Sequence, residues 1–149
     1  MLGGVTAAVE RLVARWAAGD AAGTARLFAP EVRWWAAPVP GAPWPARVRS
    51  LREVEAFFLG FLGAFELTGI TTRALVVDGV DAVLTGQLHA RLHVSDESRS
   101  FDFALSVSVR HDLISEFRLY ADTLALASAL AAPGVPPVSP QWPHGSVPG

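Results

Sequence analysis

The second half of the chain limits the possible folds most strongly. Ile70 to Val77 reads as a strand, Asp78-Gly79 as a turn pair, and Ala82 to Val94 as a second strand. The polar turn Ser95-Asp96-Glu97-Ser98 leads to a third strand, Phe101 to Val109, in which Asp102, Ala104, Ser106 and Ser108 alternate with apolar residues. His111-Asp112 is the next turn, followed by Leu113 to Ala121. Four long strands joined by short turns predict an antiparallel meander. One of its faces needs a helical cover, and the other is expected to be a dimer interface or a solvated surface.

The first half supplies that cover. Val5, Val9, Leu12, Val13 and Trp16 recur at helical spacing, opposite Glu10, Arg11 and Arg15. Gly19 ends this helix, and Asp20 is positioned to cap a short second one carrying Leu27 and Phe28, closed by Pro30. Val32 to Ala36 reads as a strand containing Trp34 and Trp35. The segment PVPGAPWP, Pro38 to Pro45, is unable to join a regular ladder and is predicted as a loop. Ser50 and Glu53 form a capping-box pattern ahead of an apolar helix with Phe57, Phe58, Phe61, Leu62 and Phe65 on one side. Gly60 and Gly63 weaken that helix, which predicts a close approach by another segment. Asp122 is a ready N-cap for a closing helix with Leu124, Ala127 and Leu130. The expected organisation is one α+β domain over residues 1–131. Residues 132–149, rich in Pro and Gly, are expected to form an extended or disordered tail.

Composition removes whole classes of chemistry. The 149 residues are 51% hydrophobic and 17% charged, as suits a single packed domain. A net charge of −2 with no basic stripe predicts no nucleic-acid partner. No apolar run reaches bilayer-spanning length and the first residues lack a leader pattern, so no membrane partner and a cytoplasmic location are expected. The absence of cysteine excludes thiol nucleophiles, disulfides and Cys-ligated zinc. All twelve basic residues are arginine, which excludes a Schiff-base lysine. Neither a cofactor nor a metal is expected, because His89 and His93 have no third ligand nearby in the pattern.

The stretch VERLVARWAAGDAAGTARLFAPEVRWWAAP (Val9 to Pro38) joins a helix, the phrase AAGD, a short helix, FAPEV and a Trp-bearing strand. The far end, ISEFRLYADTLALASAL, closes a strand on Tyr-x-Asp before a Leu-rich helix. With the meander between them, these segments resemble the SnoaL-like polyketide cyclases of the nuclear transport factor 2-like superfamily, which also holds ketosteroid isomerases and limonene-epoxide-type hydrolases. The resemblance spans roughly residues 5–131. It implies a cone-shaped barrel in which a curved, mostly antiparallel sheet wraps around the N-terminal helices and an apolar internal pocket, and it implies a homodimer. The acidic base that ketosteroid isomerases carry just before a proline falls on Ala37. The aspartate that aldol cyclases and epoxide hydrolases carry on the last strand falls on Leu119. The Arg-x-Asp pair of the hydrolases aligns with Gln87 and His89.

Several side chains are candidates for the site. Gln87, His89, Arg91 and His93 share one face of a strand. That face either lines the pocket, with His89 as acid or base and Gln87 orienting the substrate, or forms a solvated or dimer-facing stripe. Arg118, Tyr120 and Asp122 alternate in the same way, and Tyr120 is a candidate to polarise a carbonyl. Trp34, Trp35, Trp44, Phe57, Phe61 and Phe65, with Phe117 and Leu119, are the candidate lining for a small hydrophobic molecule, and Trp44 sits on a loop able to act as a lid. The leading expectation is a cyclase that folds a hydrophobic polyketide-like intermediate, including by pericyclic closure. The alternatives are a His-based acid–base isomerase using His89 with Asp102 or Asp122, and a non-catalytic carrier.

Overall fold

The computed structural model describes residues 4–131, so the segment read as a tail, with His144, lies outside the described residues. The first helix, α1 (Gly4–Ala17), buries Val9, Leu12 and Trp16 along its apolar stripe. Gly19, at φ 75°, ends the turn. Asp20 caps α2 (Ala21–Ala25), accepting a hydrogen bond from Gly23 N at 2.8 Å.

Here the chain departs from the sequence reading. Leu27 and Phe28 are not helical, because Phe28 opens β1 (Phe28–Ala36) by pairing with Ile114, and Ile114 N donates to Leu27 O at 2.8 Å. Pro30, read as a helix stop, lies inside β1 where the register shifts between Phe28 and Arg33. An edge strand tolerates its missing N–H at such a place.

α3 (Leu51–Ala64) starts on the predicted Ser50 cap, but the return bond of the capping box goes to the residue before that cap. Ser50 Oγ accepts from Glu53 N at 3.2 Å, and Glu53 Oε1 accepts from Arg49 N at 2.6 Å. The helix runs directly into β2 (Phe65–Asp78), earlier than expected, because Phe65 N still reaches Phe61 O while Phe65 pairs with Leu92. Next come β3 (Asp81–Leu92), β4 (Ser98–Arg110), β5 (Leu113–Ala121) and α4 (Thr123–Leu130), the last capped by Asp122, which accepts from Ala125 N at 3.1 Å. Gly79 opens a two-residue hairpin loop at φ 63°. His111 and Asp112 both adopt positive φ, 52° and 64°, as a type I′ turn requires.

The five strands form one sheet in the order β1-β5-β4-β3-β2, antiparallel except for β1 beside β5. At Gly86 an added Cβ would collide with the Thr71 carbonyl oxygen, so only glycine lets β2 cross this close to β3. Alternation sends Leu84, Leu88, Ala90, Phe101, Phe103, Leu105, Phe117 and Leu119 to the inner face, where the helices cover them. Trp34 stacks on Phe117 at 4.1 Å and 17°, joining β1 to β5 through side chains as well as backbone. Among the described residues no helix is long and apolar enough to cross a membrane.

Two substitutions test these assignments. Gly86→Ala is expected to cost about 1–3 kcal/mol through forced separation of β2 from β3. Ser50→Ala is expected to cost about 1 kcal/mol through the lost cap. Both are read from the urea midpoint at unchanged m-value.

Candidate functional site

Where β1 ends, the inner face of the sheet meets α3, α4 and the loop 37–50 around an apolar recess. Ala36, Ala37 and Val39 line it from β1 and the loop, and Phe57 and Phe61 from α3. Leu88, Leu119 and Ala121 come from the sheet, Leu126 from α4, and Trp44 from the loop itself. Its free volume is about 10 Å³, room for at most one water. A second space of about 210 Å³ lies directly outside, beneath the loop, and shares Ala36, Ala37, Val39, Trp44 and Phe57 with the first. Trp44 packs on Phe57, Phe61 and Phe65 with ring centroids 5.7, 5.3 and 6.2 Å away.

Of the candidates read from the sequence, Trp44, Phe57, Phe61 and Leu119 line this recess. Phe65 supports it from behind, against Phe61 at 5.1 Å and Phe101 at 5.5 Å. Trp34 and Phe117 belong to the packed layer beneath, where Trp34 meets Phe57 at 4.8 Å. Ala37 and Leu119, the positions on which the resemblance sets the family's bases, come together here, and Ala37 N donates to Leu119 O at 2.9 Å. Neither side chain titrates.

The placement of Gln87, His89, Tyr120 and Trp35 is a correction. Strand alternation gives the inner face to Leu88 and Ala90, so Gln87 and His89 point outward, away from the recess. Gln87 Nε2 donates to Asp102 Oδ1 at 3.0 Å. The His89 ring is hydrogen-bonded at Nε2 to Thr71 Oγ1, 2.6 Å, and at Nδ1 to Ser100 Oγ, 2.7 Å. Both ring nitrogens are thus engaged within the outer face. Adjacent residues on one strand also part Trp34 from Trp35: the first turns in and the second turns out.

Trp35 shares the outer face with Tyr120 at 4.9 Å and with the Arg118 guanidinium, 5.3 Å from its ring. Arg118 Nε donates to the Tyr120 hydroxyl at 2.9 Å, which raises the guanidinium pKa further above its ordinary value. Arg91 Nε likewise donates to Glu66 Oε1 at 3.0 Å. That hydrogen bond, with the adjacent positive charge, holds the Glu66 carboxyl below the usual carboxylate range. His93 was grouped with these, and Glu66 also senses its charge, but no three His, Asp or Glu side chains among the described residues gather to hold a metal.

Sequence reasoning missed Ala36, Val39, Leu88, Ala121 and Leu126. Ala36 and Leu88 were legible by parity, from Trp34 and from the neighbours of Gln87 and His89. Ala121 was legible in the same way, from Phe117 and Leu119 on β5, whereas Leu126 required knowing where α4 folds back.

The recess is therefore a closed apolar site whose lining lacks any titratable side chain, roofed by an indole. Its chemistry is limited to shape, exclusion of water and backbone dipoles.

A search of curated proteins gives no match. Among solved structures, the chain is similar to an NTF2-like protein of unknown function from Burkholderia pseudomallei K96243. The TM-score is 0.75 at 17% identity, covering 87% of this chain and 98% of that one. It is also similar to a proposed SnoaL-like polyketide cyclase from Jannaschia sp. CCS1, with a TM-score of 0.71 at 18% identity over 87% and 93% of the two chains. TerC, co-crystallized with polyporic acid, aligns with a TM-score of 0.73 at 16% identity over 85% and 98%. At these identities the likeness concerns the fold, an α+β cone of the NTF2-like type. The sequence pattern of the SnoaL-like domain matches residues 9–117, from the inner stripe of α1 to the stacked Phe117 of β5, and by that match this chain belongs to the SnoaL-like domain family.

Proposed function

We propose that this protein is a cyclase for a hydrophobic, polyketide-like intermediate that works by folding its substrate in the apolar site, without acid–base catalysis. The observation that carries this reading is the meeting of Ala37 and Leu119 in a recess with no titratable side chain. A ring closure that exchanges π bonds for σ bonds within one molecule moves no proton to or from the protein. It gains chiefly from having its internal rotations frozen in reactive geometry, since within one molecule the translational and rotational entropy of bringing the reacting ends together is already paid. The relatives support the class of substrate: one solved neighbour is a proposed polyketide cyclase.

A His-based isomerase is less well supported, because His89 and Asp102 are both on the outer face. A carrier shares the same apolar lining and differs only in outcome. To separate them, pure protein is incubated with metabolite extract from a strain lacking it, and mass and retention time are followed. A cyclase converts one compound to another of unchanged mass, catalytically and without added cofactor. Recovery of every compound unchanged, with one retained by the protein, replaces cyclisation with carriage.

Two further outcomes are expected. His89→Ala leaves kcat/KM within about twofold and the pH–rate profile stays flat from about pH 5 to 9, whereas losing a true general acid or base costs about 10²–10⁴-fold. The outer face bears Trp35, Tyr120 and Arg118, the residue types that dominate interface energies, beside Arg33 and Glu116 of opposite sign. We propose that a second copy of the chain covers this face, meeting it across a two-fold axis. Trp35→Asp should then convert a dimer to a monomer in sedimentation velocity; a wild-type monomer ends that proposal.

A further inference from the structure

Trp44, with Ala36, Ala37, Val39 and Phe57, forms the partition between two spaces. It lines the inner recess of about 10 Å³ and the outer one of about 210 Å³, and its indole rests on the three phenylalanines Phe57, Phe61 and Phe65. An apolar cavity of roughly 150 Å³ admits a benzene ring; the inner recess admits none while the indole is in place. With the indole gone and its own volume released, the joined space enters the roughly 300–1,000 Å³ range of small-molecule sites.

The loop that carries Trp44 is held lightly. Four prolines, at positions 38, 40, 43 and 45, remove backbone donors from it. Ala42 N to Val39 O, at 3.1 Å, is its one internal backbone hydrogen bond. Gly41, at φ 78°, provides the turn. The loop is fixed at its start by Ala37 N to Leu119 O, 2.9 Å, and at its end by buried Val48; between them Val39, the indole and a close backbone approach seat it. A Cβ on Gly60 of α3 would lie 2.6 Å from Pro43 O and 3.0 Å from Trp44 Cα, so the loop rests on a bare patch of helix. Segments with few backbone bonds lie at the low-stability end of a fold.

We infer that the Trp44 indole is an internal stand-in for the ligand, and that binding displaces it. The displacing ligand is a flat, uncharged, fused-ring molecule at least as large as indole. The space Trp44 leaves is walled by phenyl rings, and neither lining contributes a charged side chain. This rests on the proposed function only in taking the recess as the ligand site, and it holds equally for a cyclase or a carrier.

The probe is N-phenyl-1-naphthylamine, an uncharged naphthalene whose fluorescence rises on apolar burial. Wild-type protein carries the cost of expelling Trp44, so its apparent affinity is reduced by the fraction of molecules with the loop open. Trp44→Ala removes the occupant, and Gly60→Ala lifts the loop while keeping the indole and favouring the helix. Both variants are expected to bind the probe about tenfold or more tightly than wild type, with unchanged circular dichroism. The sulfonated analogue, 8-anilinonaphthalene-1-sulfonate, should gain less than about threefold, because its charge finds no partner. Where the two variants differ, Gly60→Ala decides, since it removes no packing atom. If Gly60→Ala binds no tighter than wild type, Trp44 is a wall of the site and the inference fails. An equal gain for the sulfonated probe overturns the uncharged ligand class. Tightening without turnover refutes cyclisation and leaves Trp44 as occupant. Turnover without tightening refutes the inference and leaves cyclisation standing.

Discussion

Phe58 meets Trp16, Phe28, Trp34, Phe57 and Phe117 with ring centroids between 5.3 and 6.2 Å, and it is fully buried. These contacts tie α1, β1 and β5 to α3. Edge-to-face and tilted pairs each add about 0.5–1.5 kcal/mol beyond the area they bury. The curved sheet offers the helices a concave surface, and large planar side chains fill it without branched ends that would demand a tighter fit. One buried side-chain polar atom among the described residues, Trp16 Nε1, has no hydrogen-bond partner, which marks how completely this layer is given to apolar packing.

The site follows from that packing. Phe57 and Phe61 lie on the same helix as Phe58, so the face that anchors α3 in the core continues into the wall of the recess. A site built this way is rigid on three sides, by helix, sheet and α4, and adjustable on the fourth, where the proline loop crosses. The family's fold hosts several chemistries, and the difference lies in which side chains reach the recess. In this chain the positions nearest the β1–β5 seam, Ala37 and Leu119, carry methyl and isobutyl groups, so no titratable side chain reaches the recess there.

Much of this was legible in the sequence, for identifiable reasons. Leu113 to Ala121 emerged with its bounds unchanged because a turn pair and an N-cap bracket it, and both are local signals. Gly60 announced a close approach and has one, while Gly63, read the same way, has nothing near it. Phe28 was misplaced because its pairing with Ile114 is distant in sequence, whereas Pro30 is a strong local stop signal. The outward placement of Gln87 and His89 was also written in the chain, since Leu84, Leu88, Ala90 and Leu92 occupy the opposite parity and must take the buried side. Trp35 shows the same rule at its simplest, because two adjacent residues of one strand do not share a face.

The parallel seam between β1 and β5 bears on how the molecule is made. Phe28 receives its ladder partner, Ile114, only after the whole meander has been synthesised, and Trp34 waits equally long for Phe117. Until then the emerging chain holds a strand with an open edge, and the Trp34 indole has only Phe28 and the α3 rings of Phe57 and Phe58 to pack on. Contacts of such high sequence separation slow folding and lengthen exposure to aggregation. The last strand thus acts as the latch of the fold, and truncation before it strands the first strand without a neighbour.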